Sequence, residues 1–504
     1  MNATEKGGQK RLMRGTALLM VGRVVGLLIN FSTQLLIVRS LVKADYGMFA
    51  FALGFMETLA IVATFNLGHT TSRLAPRYEE EGRAAELTGA VYLMTATVFV
   101  LGGLSVLGIH LLQAPLASAF DLDDAGLALV LCLIWLTPVQ AFDSFVIALL
   151  ATLANARSIF VRRHLLGPLI KLAAVLAVLA SGGGVAEIAY AHLAAGLLGL
   201  ALNVLLWAKT LRNKRLLVGA LSRIRVPFRE VFGFAAPLLL SDIAKTLRGA
   251  PVVVVLGYFC VQEEVAAYRS VFSLARLNEF ALVTFSMLFA PMIARLQARQ
   301  DWEELRATFW RASLWVTVLS FPLFAVSVVL AEPVTVLLFG DQYEGSAEVL
   351  AALVVGYFMH SAMGLSDHAL RTLGAVRLVV ALDVATGILT FVLLLALVPT
   401  YGAFGAAASV SGGGLFRAVA FHVALRQRIP LGRVPIAHLR LGGLLLVLLA
   451  VLIAVQRYWH PPLAVGLALH LIAFAVALRR GRKALAVSEF FPELARIRIL
   501  RWLL

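Results

Sequence analysis

The stretch SDIAKTLRGAP, Ser241 to Pro251, places Asp242, Lys245 and Arg248 three residues apart inside a long apolar run. On a helix the three share an arc of about 120°, so one face is charged and the rest apolar. Each charge would cost roughly 2.5–3.5 kcal/mol at the centre of a lipid-facing helix. Ionisable groups in such segments face a bundle interior or a watery cavity and find partners there. Two cations beside one acid can hold an anionic group. Equally, Asp242 and Lys245 have the i,i+3 spacing of an ion pair within one helix.

The pattern recurs. Arg269, Arg276 and Glu279 occupy a narrower arc further along, with Arg276 and Glu279 again at i,i+3, and Arg23, Asn30 and Gln34 line one stripe near the start. Glu57, Asp143, Asp383 and Arg417 are further ionisable groups in apolar surroundings. The cations Arg23, Lys245, Arg248, Arg269 and Arg276 form a surplus of positive charge that suits an anionic head group, of which phosphate is the common one. Asn30, Gln34, Asp242 and Arg417 read as polar lining of the same cavity. Glu57, Asp143 and Glu279 are candidates for coupling to a proton or sodium gradient. A scaffold of interhelical ion pairs is the competing reading. Gly249, Ala250 and Pro251 follow Arg248 directly, and proline both removes a backbone hydrogen bond and clashes with the preceding turn. A bend or break is expected there, as a gate or as a fixed kink.

The elements that must position these charges follow from composition. The chain has 504 residues, 61% hydrophobic and 14% charged, with a mean hydropathy of +0.89. Soluble domains are nearer half apolar and a quarter charged, so this is a polytopic membrane protein. A helix needs about 20 apolar residues to cross the hydrocarbon core. Fourteen candidate spans begin near residues 15, 46, 87, 126, 163, 185, 230, 268, 307, 346, 376, 402, 438 and 461. The basic start MNATEKGGQKRLMRG runs straight into the first of them, which is too long for a signal-peptide core. With the N-terminus in the cytoplasm, nearly all loop arginines and lysines collect inside. The opposite loops, SAFDLDDAG, CVQEEVAA and FGDQYEGSAE, are neutral or acidic. This positive-inside pattern puts both termini in the cytoplasm.

A shift of 222 residues aligns Arg23 with Lys245, Tyr46 with Tyr268, Glu57 with Glu279 and Arg73 with Arg295; a shift of 220 aligns TLANAR with TLGAVR. The offset equals six spans, an even number, so the copies run parallel. The expectation is an all-α bundle of two pseudo-symmetric six-helix lobes, residues 1–222 and 223–430. Residues 431–504 add two extra spans and a basic amphipathic tail suited to an anionic lipid surface.

Other chemistries find little support. The 44 Lys and Arg against 28 Asp and Glu could suggest nucleic acid, but no basic domain stands outside the apolar spans. There is no phosphate-binding GxxxxGK[ST] loop, no serine or cysteine in a recognisable catalytic setting, and no metal-type spacing around Cys132 or Cys260. His110, His192, His360 and His422 are isolated and read as packing residues. His360 and Asp367, seven residues apart, are a weak candidate pair for one cavity. No cofactor or metal is called for.

Three stretches carry a resemblance. RSLVKADYGMFAFAL (39–53), FGDQYEGSAEVLAAL (339–353) and VPTYGAFGAAAS (398–409) are similar to packing and turn motifs of the polysaccharide flippases in the multidrug/oligosaccharidyl-lipid/polysaccharide exporter (MOP) superfamily. The resemblance runs from residue 12 to about residue 430. It implies a V-shaped bundle that alternates between inward- and outward-open states in a bacterial inner membrane. It also implies a polyprenyl-pyrophosphate-linked oligosaccharide as cargo, an O-antigen or exopolysaccharide repeat unit, with the pyrophosphate held by Arg23, Lys245, Arg248 and Arg269 or Arg276. Membrane lipids, a polysaccharide polymerase and export machinery are the implied partners. The alternatives are a cation-coupled exporter of drugs or of the peptidoglycan lipid precursor, and a membrane-embedded polymerase or ligase. A cationic drug would want an acidic cavity, and an enzyme a larger outer loop.

Overall fold

The computed structural model describes residues 22, 24–153, 165–213, 225–246 and 249–485. The described residues form helices joined by short turns and loops, with no strand among them. Inside a bilayer no water is available to backbone N–H and C=O groups, so apolar runs of this length close their hydrogen bonds internally as helices. Their hydroxyls do the same: Thr58, Thr71, Thr95 and Thr386 each donate to the carbonyl four residues earlier, at 2.7–2.8 Å.

Contacts divide the chain into two compact units, Met1–Ala266 and Ala267–Leu504. The first contains α1 (Val24–Ser40), α2 (Lys43–Thr64), α3 (Leu67–Glu80), α4 (Ala84–Leu111), α5 (Asp124–Leu133) and α6 (Leu136–Leu153). It continues with α7 (Gly167–Ala180), α8 (Val185–Asn213), α9 (Phe228–Thr246) and α10 (Ala250–Phe259). Its core gathers Tyr78, Met94, Phe142, Phe145 and Leu149. Helix α11 (Gln262–Arg276) leads into the second unit. There follow α12 (Phe280–Ala298), α13 (Trp302–Val329), α14 (Ala331–Phe339), α15 (Ser346–Met363), α16 (Leu365–Thr372), α17 (Val376–Arg426), α18 (Ile436–Trp459) and α19 (Leu463–Leu485). Phe289, Phe309, Leu365 and Phe421 centre its core. The Trp315 indole donates to the Leu485 carbonyl at 2.9 Å and so pins the end of α19 onto α13.

Among the described residues ten helices are long and apolar enough to cross a membrane, and three shorter apolar helices accompany them. The expected count of fourteen differs because spans and continuous helices are not the same objects. Helix α17 runs for 51 residues, roughly 77 Å at 1.5 Å per residue, far more than one bilayer. Its backbone leaves helical geometry at Gly402 (φ 52°, ψ −132°), a left-handed φ suited to glycine. A Cβ on Gly413 would strike Thr390, and one on Gly412 would touch Leu393, so the two arms run antiparallel and pack face to face. Conversely, the span expected near residue 230 is broken. Gly249 (φ −127°, ψ −117°) separates α9 from α10, with Pro251 in the first turn of α10, as the Gly-Ala-Pro sequence led us to expect.

Candidate functional site: charged clusters within two helical units

Two clusters of polar side chains stand out in the first unit. At one end α3, α4 and α9 converge. Tyr78, itself fully buried, donates to Glu230 at 2.9 Å, and Arg83 reaches the other oxygen of Glu230 at 3.0 Å. Arg83 also meets Glu81 at 3.1 Å, and Arg77 meets Glu81 at 2.7 Å. A Cβ on Gly89 would fall 2.0 Å from the Arg225 carbonyl oxygen, so the chain entering α9 lies directly on the first turns of α4. Hydrogen bonds from Arg77 and Arg83 hold the Glu81 carboxyl below its ordinary value of 4.5. The other end is acidic. There a cavity of about 580 Å³ is lined by Asp45, Asp121, Asp123 and Glu263. Helices α2 and α10 approach closely at this end. Added methyl groups on Gly47, Gly54 and Gly257 would strike Gln262, Val253 and Phe51 respectively.

Of the residues singled out from sequence in this unit, Arg23 and Arg248 lie outside the described residues. Asp242 and Lys245 are described only as backbone of α9. Asn30 is exposed on α1, where its amide donates back to the Gly26 carbonyl at 2.8 Å. Gln34 is half-buried and donates to the Tyr46 hydroxyl at 3.4 Å. Glu57 is half-buried on α2. Asp143 on α6 accepts from Asn203 on α8 at 2.6 Å.

The second unit carries the other predicted cations. Arg269 and Arg276 lie on one face of α11, and each guanidinium sits 5.7 Å from the centre of the Phe272 ring between them. Arg269 is half-buried and Arg276 exposed. Two planar cations spaced by one aromatic ring form a ridge that can offer forked N–H donors to a di-anion. Directly after Arg276 the helix tightens to a 3₁₀ turn, Leu277–Glu279, before α12 begins. Glu279 faces His360 of α15, Oε1 to Nε2 at 3.7 Å, and makes no ion pair with Arg276. The i,i+3 pair expected from spacing is therefore replaced by a contact between helices.

Arg417 takes part in a separate arrangement. Its guanidinium donates to Asp383 and, at 2.6 Å, to Asp367. Arg371 bonds Asp367 at 2.7 Å and Asp383 at 3.1 Å, which closes a ring of two arginines and two aspartates. Arg417 also lies over the Phe421 ring at 4.2 Å. The ring is neutral in formal charge, and Asp383 is fully buried. His360 and Asp367, read together from sequence, have different partners. Arg371 belongs to the ring as well, and its i,i+4 spacing from Asp367 is the local signal for that pair. The Tyr78–Glu230 bond and the Glu279–His360 contact left no local trace. Among the described residues no group of three His, Cys, Asp or Glu side chains could hold a metal ion.

Residues 12–297 match the family described as "Polysaccharide biosynthesis protein". The chain belongs to that family. Among solved structures, this family member is similar to the lipid II flippase MurJ in an inward closed conformation, with a TM-score of 0.72 at 11% identity over 96% of this chain and 100% of that one. It is also similar to an inward-facing multidrug resistance MATE family transporter of the MOP superfamily, with a TM-score of 0.63 at 14% identity over 80% and 94% of the two chains. A third likeness is to a MOP superfamily transporter from Pyrococcus furiosus, whose binding pocket is described as of reverse polarity. Its TM-score is 0.54 at 15% identity, over 84% of this chain and 96% of that one. No curated protein sequence matches the chain. The fold of this family member is thus the fold of the flippases and exporters of that superfamily.

Proposed function

We propose that this protein is a flippase. It carries a polyprenyl-pyrophosphate-linked oligosaccharide from the cytoplasmic to the outer leaflet of a bacterial inner membrane by alternating access. The observation that carries this reading is the ridge of Arg269 and Arg276 around Phe272, two cations set against one aromatic ring in a polysaccharide-biosynthesis family member. Two guanidinium groups set against one ring can offer forked N–H donors to a di-anion, and a lipid-linked pyrophosphate is such a di-anion whose tail stays in the bilayer. Within the first unit, Arg23, Lys245 and Arg248 are assigned to anion binding, with Asn30, Gln34 and Asp242 as polar residues beside them; within the second, Arg417 is the polar residue assigned beside Arg269 and Arg276. Two carboxylates already engage Arg417.

The fourteen-span arrangement of two six-helix lobes is supported by the folded-back arms of α17 and by the three short apolar helices beside the ten long ones. The arginine-rich end of the first unit is the cytoplasmic end, in keeping with the positive-inside pattern, and both termini lie on that side. Glu57, Asp143 and Glu279 are the groups through which an ion gradient drives the cycle. Replacing Lys245 and Arg248 together by alanine is expected to abolish polymer export while the protein remains inserted and stable. Normal polymer output from a well-expressed double variant would reject the pyrophosphate role.

A further inference from the structure

We propose that Glu279 and His360 form the site at which this transporter takes up and releases its coupling proton; the inference rests on the transport reading above and adds the ion and its residues. The site lies at a break in the helix. Residues Leu277–Glu279 adopt 3₁₀ geometry between α11 and α12, and such a turn within a longer helical run marks a hinge. The break is held from two sides. The Asn278 carbonyl accepts from Ser361 of α15 at 2.8 Å and from Ser320 of α13 at 3.3 Å. Asn278 is 1% exposed, and its side-chain oxygen has no hydrogen-bond partner. A buried orphan acceptor is a cost that a rearranged or hydrated form of the break can relieve.

Glu279 follows Asn278 and His360 precedes Ser361, so the pair stands beside the Ser361 bond, at 3.7 Å and with side chains 22% and 13% exposed. That distance is too long for a direct hydrogen bond and short enough for one water or a small side-chain movement to bridge. The proton balance is simple. With the carboxylate ionised and the imidazole protonated, the two attract and tie α15 to the break. Transfer of the Nε2 proton to Oε1 leaves a neutral acid and a neutral imidazole, and the tie is lost. Release of that proton from Glu279 restores the carboxylate, and uptake at Nε2 restores the imidazolium. One proton passes per cycle, and the strength of the α15 tie depends on where it sits.

Imidazole is the side chain whose ordinary titration spans physiological pH, which suits it to this part. Helices α16 and α17, packed against α15, bring Asp367, His368, Arg371, Asp383, Arg417 and His422, of which the two aspartates and two arginines are engaged with one another in the ring. Helix α12 brings no ionisable side chain between Phe280 and Ala294, and α13 brings none between Ala312 and Val329. From α15 the neighbouring titratable group is Tyr357, one turn before His360. From α11 they are Tyr268, Arg269 and Arg276, with both arginines placed against Phe272. Those cations sit one and three turns before Glu279, so an anion arriving on the arginine ridge changes the field at the pair. Cargo and proton are thereby linked through adjacent turns of one helix.

The experiment uses the full chain in two settings. In proteoliposomes with a labelled polyprenyl-pyrophosphate oligosaccharide, a pH difference of one unit should skew the final distribution of label about tenfold if one proton is coupled. Glu279→Gln should still equilibrate the label but lose the skew, and His360→Gln should behave alike. A sodium gradient at equal pH should have no effect. A skew retained in Glu279→Gln, or driven by sodium instead, overturns the proposal while leaving the transport reading intact. Wild-type protein that does not move the label removes the transport reading and, with it, any coupling role. Without any substrate, the ¹⁵N shifts of His360 in purified protein should report the contact with Glu279 and change in Glu279→Gln. Shifts that are the same in the two proteins overturn the site itself.

Discussion

Each unit carries a cluster of arginines and carboxylates, and the two clusters differ mainly in their access to water. In the first unit the Arg83 and Glu230 side chains are 30% and 40% exposed. In the second, Arg417 is 5% and Asp383 0% exposed. Exposed pairs contribute little, because high dielectric and salt weaken the attraction. Buried pairs cost desolvation to form, and breaking one leaves an uncompensated charge in a dry interior. The ring in the second unit is therefore suited to fix the register of the two α17 arms against α16. The cluster in the first unit is suited to close and release. It ties the start of α9 to α3 and α4, whereas the neighbouring α10 is locked to α2 by close glycine contacts that water and salt do not loosen.

The largest effect should come from Asp383→Ala. The buried Arg417 and the half-buried Arg371 each lose a partner, and the protein should be destabilised by about 3–5 kcal/mol, read as a lowered unfolding midpoint in detergent. A midpoint like that of the native protein would mean that the ring is wetter than its geometry implies. Next comes the double replacement Asp383→Leu with Arg417→Met. Removing both charges should recover most of the loss and leave the Arg371–Asp367 pair in place. If the double variant is worse than the single one, the ring has a role beyond neutralisation.

In the first unit, Glu230→Gln should leave the unfolding midpoint nearly unchanged but raise hydrogen exchange in the first turns of α9. Salt at 1 M, where the Debye length is about 3 Å, should do the same. Unaltered exchange would show that the contact of Arg225 with α4 alone holds the helix. The smallest effect concerns acid. The Glu81 carboxyl is held below 4.5, so its attraction for Arg77 and Arg83 is complete at neutral pH. It should persist below pH 4.5 and disappear as pH falls through the lowered value. Exchange at the start of α4 should rise only in that acid range, and a rise already near pH 6 would point to another group.

Much of the scaffold was legible in the sequence because the bilayer makes apolar length and loop charge informative. The break at Gly249 was visible from Pro251, and the α17 hairpin from two separate apolar runs. The bend between α2 and α3 was not. Phe65 and Asn66 both adopt left-handed backbone (φ 46° and 56°) with no glycine or proline to announce it. The charges divide in the same way. Asp367 with Arg371 is an i,i+4 pair on one short helix, open to inspection. Asp383 and Arg417 meet across 34 residues only because the α17 arms fold back in one register. Glu279 finds His360 rather than Arg276 because the helix tightens at Leu277 and turns the carboxylate toward α15. Periodicity assumes an unbroken helix, and it loses its meaning where the helix breaks.

The central claim is that the arginine ridge of α11 handles the phosphate end of a lipid-linked glycan. It is tested most directly in proteoliposomes with a labelled polyprenyl-pyrophosphate oligosaccharide in the outer leaflet and an impermeant quencher. Wild-type protein should move the label out of the quencher's reach. Arg269→Ala with Arg276→Ala, equally well folded and inserted, should leave all of it quenched. Equal rates for the two proteins would contradict the account.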